Sequence, residues 1–319
     1  MAKRIQFFLI IMVAITSAVI GESAQEVNLL DKETELMSQI KENGEDTDAI
    51  LELVELLNRQ NRGEDAVKHA RRAVELLPEN ANANYLLAVS LRQDMGNNPL
   101  AWMTGTNEYI KLLKSAIRLD PQFVGSYQEL IGFYKNAPFI AGGSKDKALA
   151  VASTLQKIDA KKGIREKANI FMSDEKVEEA LKLYEDFSAQ NPNDTEVLLQ
   201  YGMILVQNKQ YDKAMPLFDK GIECKDDNSP NCLYQAGKVR VLAERELEKA
   251  VQCFDQYIEQ YQAGQNPTDA DALWRKGMTL KKLGRKSEAQ TSFEMALQIE
   301  PKHQFAGKSL DNLKKGTSK

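Results

Sequence analysis

The sequence predicts an all-α fold, a right-handed α-solenoid of about seven helix-turn-helix units with a capping helix at each end. Three observations predict it. The first is a spacing that returns seven times: a compact residue, an apolar residue four later, a small or apolar residue three further on, and often a proline five after that. Ala289, Phe293, Ala296 and Pro301 carry the full set, as do Ala66, Ala70, Ala73 and Pro78. Residues four and seven apart share one helical face, so each set marks the buried stripe of a helix. The second is a small or medium residue twelve positions before the compact one, at Val54, Ala168, Gly202 and Gly277, and thirteen before it at Gly237. It places a first helix ahead of each marked helix. The third is composition: 43% hydrophobic, 28% charged, 7% aromatic and 9 prolines in 319 residues. That balance suits a folded helical chain and argues against a β-sandwich or a disordered one.

The elements follow in order. Lys3 and Arg4 precede an apolar stretch from Ile5 to Ile20, broken only by Gln6, Thr16 and Ser17, and then come Gly21, Ser23 and Ala24. This reads as a secretory signal peptide over 1–24, cleaved after Gly21 or Ala24. The run is short for a bilayer span, which needs roughly 20 apolar residues, and an uncleaved anchor is the alternative. No other segment is apolar enough to cross a membrane, so the mature chain is expected without a span, periplasmic or secreted. Residues 25–46 read as an N-terminal cap on the stripe Leu30, Leu36, Met37 and Ile40. The array proper runs over 47–303. Its second-helix anchors continue through Tyr109, Leu113, Ala116 and Pro121; Ala148, Ala152 and Leu155; Ala180, Tyr184, Phe187 and Pro192; Ala214, Phe218 and Gly221; and Ala250, Phe254 and Tyr257. Residues 304–319 read as a C-terminal cap and tail, apolar at Phe305, Leu310 and Leu313 and basic outside at Lys308, Lys314 and Lys315. The alanine lets two helices approach, the bulky residue one turn on fills the gap, and the proline stops the helix where its missing donor does no harm.

These residues resemble the tetratricopeptide repeat, a 34-residue unit, over roughly residues 47–303. Residues 161–194 and 195–228 abut in that register without a gap. The resemblance implies an interaction scaffold, with the first helices of successive units lining a groove. On that geometry the groove-facing residues are Tyr85, Arg92, Arg165, Asn169, Leu199, Met203, Tyr234, Lys238, Trp274 and Met278. The alternative is that tight curvature turns these residues into core. Tetratricopeptide domains that hold a carboxylate use Lys, Asn and Arg over adjacent first helices. Arg165 and Asn169 fit one face, but Gln128 and Leu199 do not complete such a set.

Two units are stretched between their helices, around 94–106 and within 136–144. The inserts are apolar for loops, with Trp102, Met103, Phe139 and Ile140, and belong to neighbouring units. They either fold back onto their own helices or offer a contact patch. The run Phe133-Tyr134, Ala137-Pro138, Gly142-Gly143, Lys147-Ala148 is similar to a variant in some exported bacterial tetratricopeptide proteins.

Reactive chemistry is sparse. The chain has 2 histidines, His69 and His303, and neither sits in a metal-ligand spacing, a nucleophile elbow or a phosphate loop. No catalytic residue, metal or cofactor is expected. The net charge of -4 gives no concentrated positive surface for nucleic acid. Of 3 cysteines, Cys224 and Cys232 flank one polar turn and form a candidate disulfide that export would permit, while Cys253 stands apart. The expectation is an exported, non-enzymatic scaffold that binds a protein or peptide in the cell envelope. The alternative is a small-molecule-binding accessory of a transport system.

Overall fold

The computed structural model describes residues 29–316 other than 97 and 263, so the signal segment expected over 1–24 lies outside the described residues. Among those residues the secondary structure is helical throughout. Helix α1 covers 29–42. Seven consecutive pairs follow: α2 (Thr47–Arg59) and α3 (Gly63–Leu76), α4 (Ala81–Met95) and α5 (Pro99–Leu119), α6 (Val124–Asn136) and α7 (Lys145–Ile158), α8 (Ala160–Ser173) and α9 (Val177–Gln190), α10 (Thr195–Gln207) and α11 (Tyr211–Cys224), α12 (Ser229–Ala243) and α13 (Leu247–Gln260), α14 (Asp269–Lys282) and α15 (Lys286–Ile299). Helix α16 (Gln304–Gly316) closes the chain, and a short 3-10 turn, η1 (Phe139–Ala141), lies between α6 and α7.

The chain divides into two compact units between Glu166 and Lys167, within α8. In the first, α3 packs between α2 and α4, α4 packs on α5, and α6 on α7. In the second, each helix from α10 to α16 packs on the next. First helices also touch one another, α2 with α4, and α10, α12, α14 and α16 in succession. They therefore form one wall of their unit and the second helices form the other.

Local chemistry sets where the helices begin and end. Asp46, Asn80, Asp194 and Thr268 cap α2, α4, α10 and α14 by accepting the amide N–H at N3, which removes one orphan donor each. Thr268 completes a capping box with Asp271. The turn into the second helix is a repeated Schellman closure, in which a left-handed residue lets two amides return to the last carbonyls. Arg62 N–H donates to Leu57 O with Asn61 left-handed, and Gln210 to Leu205 with Lys209 left-handed. Glu175, Glu244 and Gly284 hold the same place after α8, α12 and α14. Of these five residues only Gly284 is a glycine, so the sequence marks one turn and hides four.

Packing between paired helices follows one rule of volume. Ala66, Ala70, Ala73, Ala148, Ala152, Ala180, Ala214, Ala250, Ala289 and Ala296 have no exposed surface. Opposite the anchors, Gly202, Gly237 and Gly277 receive the rings of Phe218, Phe254 and Phe293. A Cβ at Gly202 or Gly277 would lie 2.5 Å from a ring carbon, and at Gly237 2.8 Å. Elsewhere the same two register positions trade sizes: Val54 goes with Ala70, Ile131 with Ala152, Ala88 with Leu113 and Ala168 with Tyr184. Interiors close-packed at crystal density require such compensation.

The ends are covered from within the chain. In α1, Leu36 is fully buried against Ala49, Leu53, Leu56, Leu57 and Ala66, with Ile40 beside it. Leu30 and Met37, expected on the same stripe, are exposed instead, because only one side of α1 meets α2 and α3. In α16, Leu310 and Leu313 are buried with Leu280, Phe293 and Val251. His303 is buried before it: Nδ1 accepts from Ala306 N–H at 3.1 Å, and Nε2 lies 3.2 Å from Asp271 Oδ1.

Candidate interaction surfaces

The two insertions are built differently. The first is largely helix: Pro99 opens α5, Asn98 caps it, and the helix runs 21 residues. The inserted turns carry Trp102 inward. Its indole N–H donates to Gly96 O at 2.9 Å, and its ring stacks on Phe133 of α6 at 6.0 Å and meets Tyr109 edge-on at 5.8 Å. The second insertion is a closed loop in which Gly143 and Ala141 N–H both reach Pro138 O, and Ser144 N–H reaches Tyr134 O at 2.8 Å. Gly142 has φ 95°, and a Cβ on Gly143 would lie 1.8 Å from Ala137 O, so both positions require glycine. Of the four expected patch residues, Trp102 is therefore a packing residue. Met103, Phe139 and Ile140 are 76%, 89% and 92% exposed. Leu100, which sequence reasoning missed, is 72% exposed beside them on α5. Its helical position relative to Met103 was the available signal.

The expected groove residues do not share one fate. Leu199 and Tyr234 are core. Leu199 joins Leu205, Phe218 and Cys232, and Tyr234 joins Phe254, Tyr257 and Ala272. Trp274 and Met278 are covered by α16, for Phe305 stacks on Trp274 at 5.0 Å and the indole N–H donates to Ser309 Oγ at 3.1 Å. Ser309 in turn points at Met278 Sδ, 3.5 Å away. Tyr85 and Arg92 are tied into the first unit. Tyr85 packs on Phe123 at 5.0 Å, and Arg92 Nε lies 3.0 Å from Glu129 Oε2, which also accepts from Tyr109 O–H at 2.8 Å. Burial and that carboxylate push the Tyr109 phenol well above its ordinary pKa. Arg165 is half-buried and Asn169 exposed on α8.

What stays open on the inner wall of the second unit is Lys238, with partly buried Met203, Val206 and Val241 on the same register positions. Sequence reasoning missed its neighbour Arg275, which lies one residue off the groove register. Arg275 Nε donates to the Tyr234 phenol Oη at 2.5 Å, and its guanidinium stands over the Tyr234 ring at 5.5 Å and the Trp274 ring at 5.0 Å. Among the described residues neither Lys238 nor Arg275 makes an ion pair. Burial and then the Arg275 charge hold the Lys238 ammonium below its ordinary pKa. By contrast Arg240, on the other side of α12 and 3% exposed, is saturated by Asp219 at 2.7 Å and Glu246 at 3.0 Å.

The three cysteines are free thiols. Cys232 is fully buried in the notch left by Gly221, and burial pushes its thiol up to about 12. Cys224 Sγ instead faces the carbonyls of Lys220 and Asn193 at 3.3 and 3.5 Å. A shallow depression of about 370 Å³ beside it is lined by Asn193, Lys220, Glu223, Cys224 and Asp226. That lining is polar, whereas small-molecule pockets are mostly apolar. Among the described residues no cluster of His, Cys, Asp and Glu could hold a metal ion, and no helix is long and apolar enough to cross a membrane.

Comparison with known proteins agrees with the helix pairs. Family models described as tetratricopeptide repeat match residues 51–101, 171–236 and 270–303. These three segments are tetratricopeptide repeats. Among solved structures, the yeast Tom70 superposes with a TM-score of 0.60 at 17% identity, over 91% of this chain and 59% of that one. A tetratricopeptide repeat protein from Parabacteroides merdae gives a TM-score of 0.48 at 13% identity, over 81% of this chain and 94% of its own. The Cut9–Hcn1 assembly of the APC/C gives 0.47 at 14% identity, over 89% of this chain and 52% of that one. The chain thus spans less than two thirds of Tom70's length, and at 17% identity that likeness is one of fold. No curated protein matches it in sequence. A tetratricopeptide fold supports a protein-interaction scaffold.

Proposed function

We propose that this tetratricopeptide protein is exported, acts in the cell envelope as a non-enzymatic scaffold, and holds an acidic segment of a protein partner on the inner wall of its second unit. The observation that carries the reading is the Lys238–Arg275 pair. Two cations on adjacent first helices, half withdrawn from water and without a carboxylate, are an unfavourable arrangement that an incoming anion relieves. Tyr234 holds Arg275 in place, and Met203, Val206 and Val241 supply apolar surface for the rest of a peptide. Export is supported by the composition of residues 1–24, and the absence of a net basic charge supports a protein partner over nucleic acid.

The test is capture from a cell-envelope extract by the mature chain, beside the Lys238→Glu/Arg275→Glu variant. The expected result is one stoichiometric partner that the wild type retains, that the variant loses, and that salt weakens. A partner held equally by both proteins would overturn the anionic reading. A thermal shift with a metabolite, and no protein captured, would favour the transport accessory instead. Recovery of the chain in the cytoplasmic fraction with 1–24 attached would overturn export.

A further inference from the structure

We propose that the edge of the first unit formed by the start of α5 and by η1 docks on the surface of an anionic lipid bilayer, inserting Leu100, Met103, Phe139 and Ile140 at the headgroup level. Four observations carry this. The four side chains are 72% to 92% exposed, while the other large exposed apolar residues lie between 37% and 60% and are scattered over α1, α12, α15 and α16. The two segments that bear them are neighbours: η1 packs against α5, and the Trp102 ring stacks on Phe133, just ahead of the loop that holds η1. Both segments are free of charge. Residues 95–107 and 136–144 contain no Asp, Glu, Lys or Arg, in a chain that is 28% charged. Lysines border the second segment at 135, 145 and 147 against Asp146, while Asp94 and Glu108 border the first, Glu108 being paired with Arg71 at 2.6 Å.

The shape decides among occupants. At this exposure each side chain stands out from the surface, so a folded partner would need a complementary socket for each. A bilayer interface accepts apolar side chains one at a time and penalises charge at depth, which the edge lacks. Bordering lysines add attraction to anionic headgroups. Trp102 needs nothing from the bilayer, since Gly96 O already accepts from its indole, and it braces the edge from behind. The inference is independent of the Lys238–Arg275 face, which lies in the other unit.

The experiment is flotation of the mature chain with vesicles of phosphatidylcholine alone or with about 30% phosphatidylglycerol. Beside it run the Leu100→Ser/Met103→Ser/Phe139→Ser/Ile140→Ser variant and the Lys135→Glu/Lys147→Glu variant. Because the four side chains are exposed, circular dichroism and the melting temperature of the serine variant should match the wild type. The expected result is flotation that rises with phosphatidylglycerol, falls at least about tenfold in the serine variant and loses its lipid-charge dependence in the lysine variant. Phe139→Trp in a Trp102→Phe, Trp274→Phe background should shift its emission to the blue on vesicles. Wild type that stays unbound, or a serine variant that floats equally, overturns the proposal. So does a dimer in light scattering that the serine variant alone abolishes without vesicle binding, since a second copy would then cover the edge.

Discussion

At Gly277 a methyl group would lie 2.5 Å from the Phe293 ring and 3.1 Å from Ala289 O, and the consequence can be weighed. Alanine gains about 1 kcal/mol of helix propensity over glycine. Overpacking a tight contact costs about 1–3 kcal/mol. The contact is expected to win: Gly277→Ala should lower stability in urea unfolding, and Gly277→Ala/Phe293→Leu should recover most of the loss. The reverse logic applies at Lys209, where a lysine holds φ 58° in a turn built for glycine. A left-handed non-glycine residue costs roughly 1 kcal/mol, partly offset by the greater entropy that glycine loses on folding. Lys209→Gly should therefore raise the denaturation midpoint by an amount equivalent to about 0.5 kcal/mol. Neither turn nor clash is written in the identity of the residue alone. Asn61, Glu175, Lys209 and Glu244 look like ordinary polar positions, because local preference is weak and the closing hydrogen bonds override it.

Helix against helix, the alanine anchors were legible because only a compact residue permits two backbones to approach so closely, and its recurrence is a spacing that can be read directly. Ala180 and Ala289 have no exposed surface. Ala180→Leu and Ala289→Leu should each cost about 1–3 kcal/mol with circular dichroism still helical, and neutral results at both would contradict the register. The wall between core and groove was less legible. Tyr85, Arg165, Leu199 and Tyr234 occupy equivalent register positions, yet Leu199 and Tyr234 are buried while Tyr85 and Arg165 are only partly so. How far neighbouring first helices close over a position depends on their side chains, and those are 30 or more residues away. Arg92 shows the same limit: its partner Glu129 belongs to the next first helix, and no local pattern pairs them.

Across the molecule, stacked repeats expose an apolar face at each end unless something covers it. Helix α16 does so for the second unit, burying Ala306, Leu310 and Leu313 and lying over Trp274. Ending the chain after Lys302 should remove about 4 kcal/mol, on the scale of two buried leucines. In a Trp102→Phe background, Trp274 emission should shift to the red at the same time. Unchanged emission and stability would mean that α16 is no cap. Trp274 and Met278 leave the candidate groove for this reason. A tryptophan on the expected face was visible, but the helix that covers it was recognisable only as a cap and not by what it would cover.

Helical periodicity, the number of pairs and the anchors that face inward were decided by the sequence alone, because they follow from residue size and from spacing along a single helix. Tertiary structure decided which groove residues remain available, that Arg275 stands beside Lys238, that Trp102 turns inward while Leu100, Met103, Phe139 and Ile140 turn out, and that Cys224 and Cys232 are free thiols. Each of those outcomes depends on which neighbours arrive from distant parts of the chain to exclude water, and burial is a property of the assembled packing.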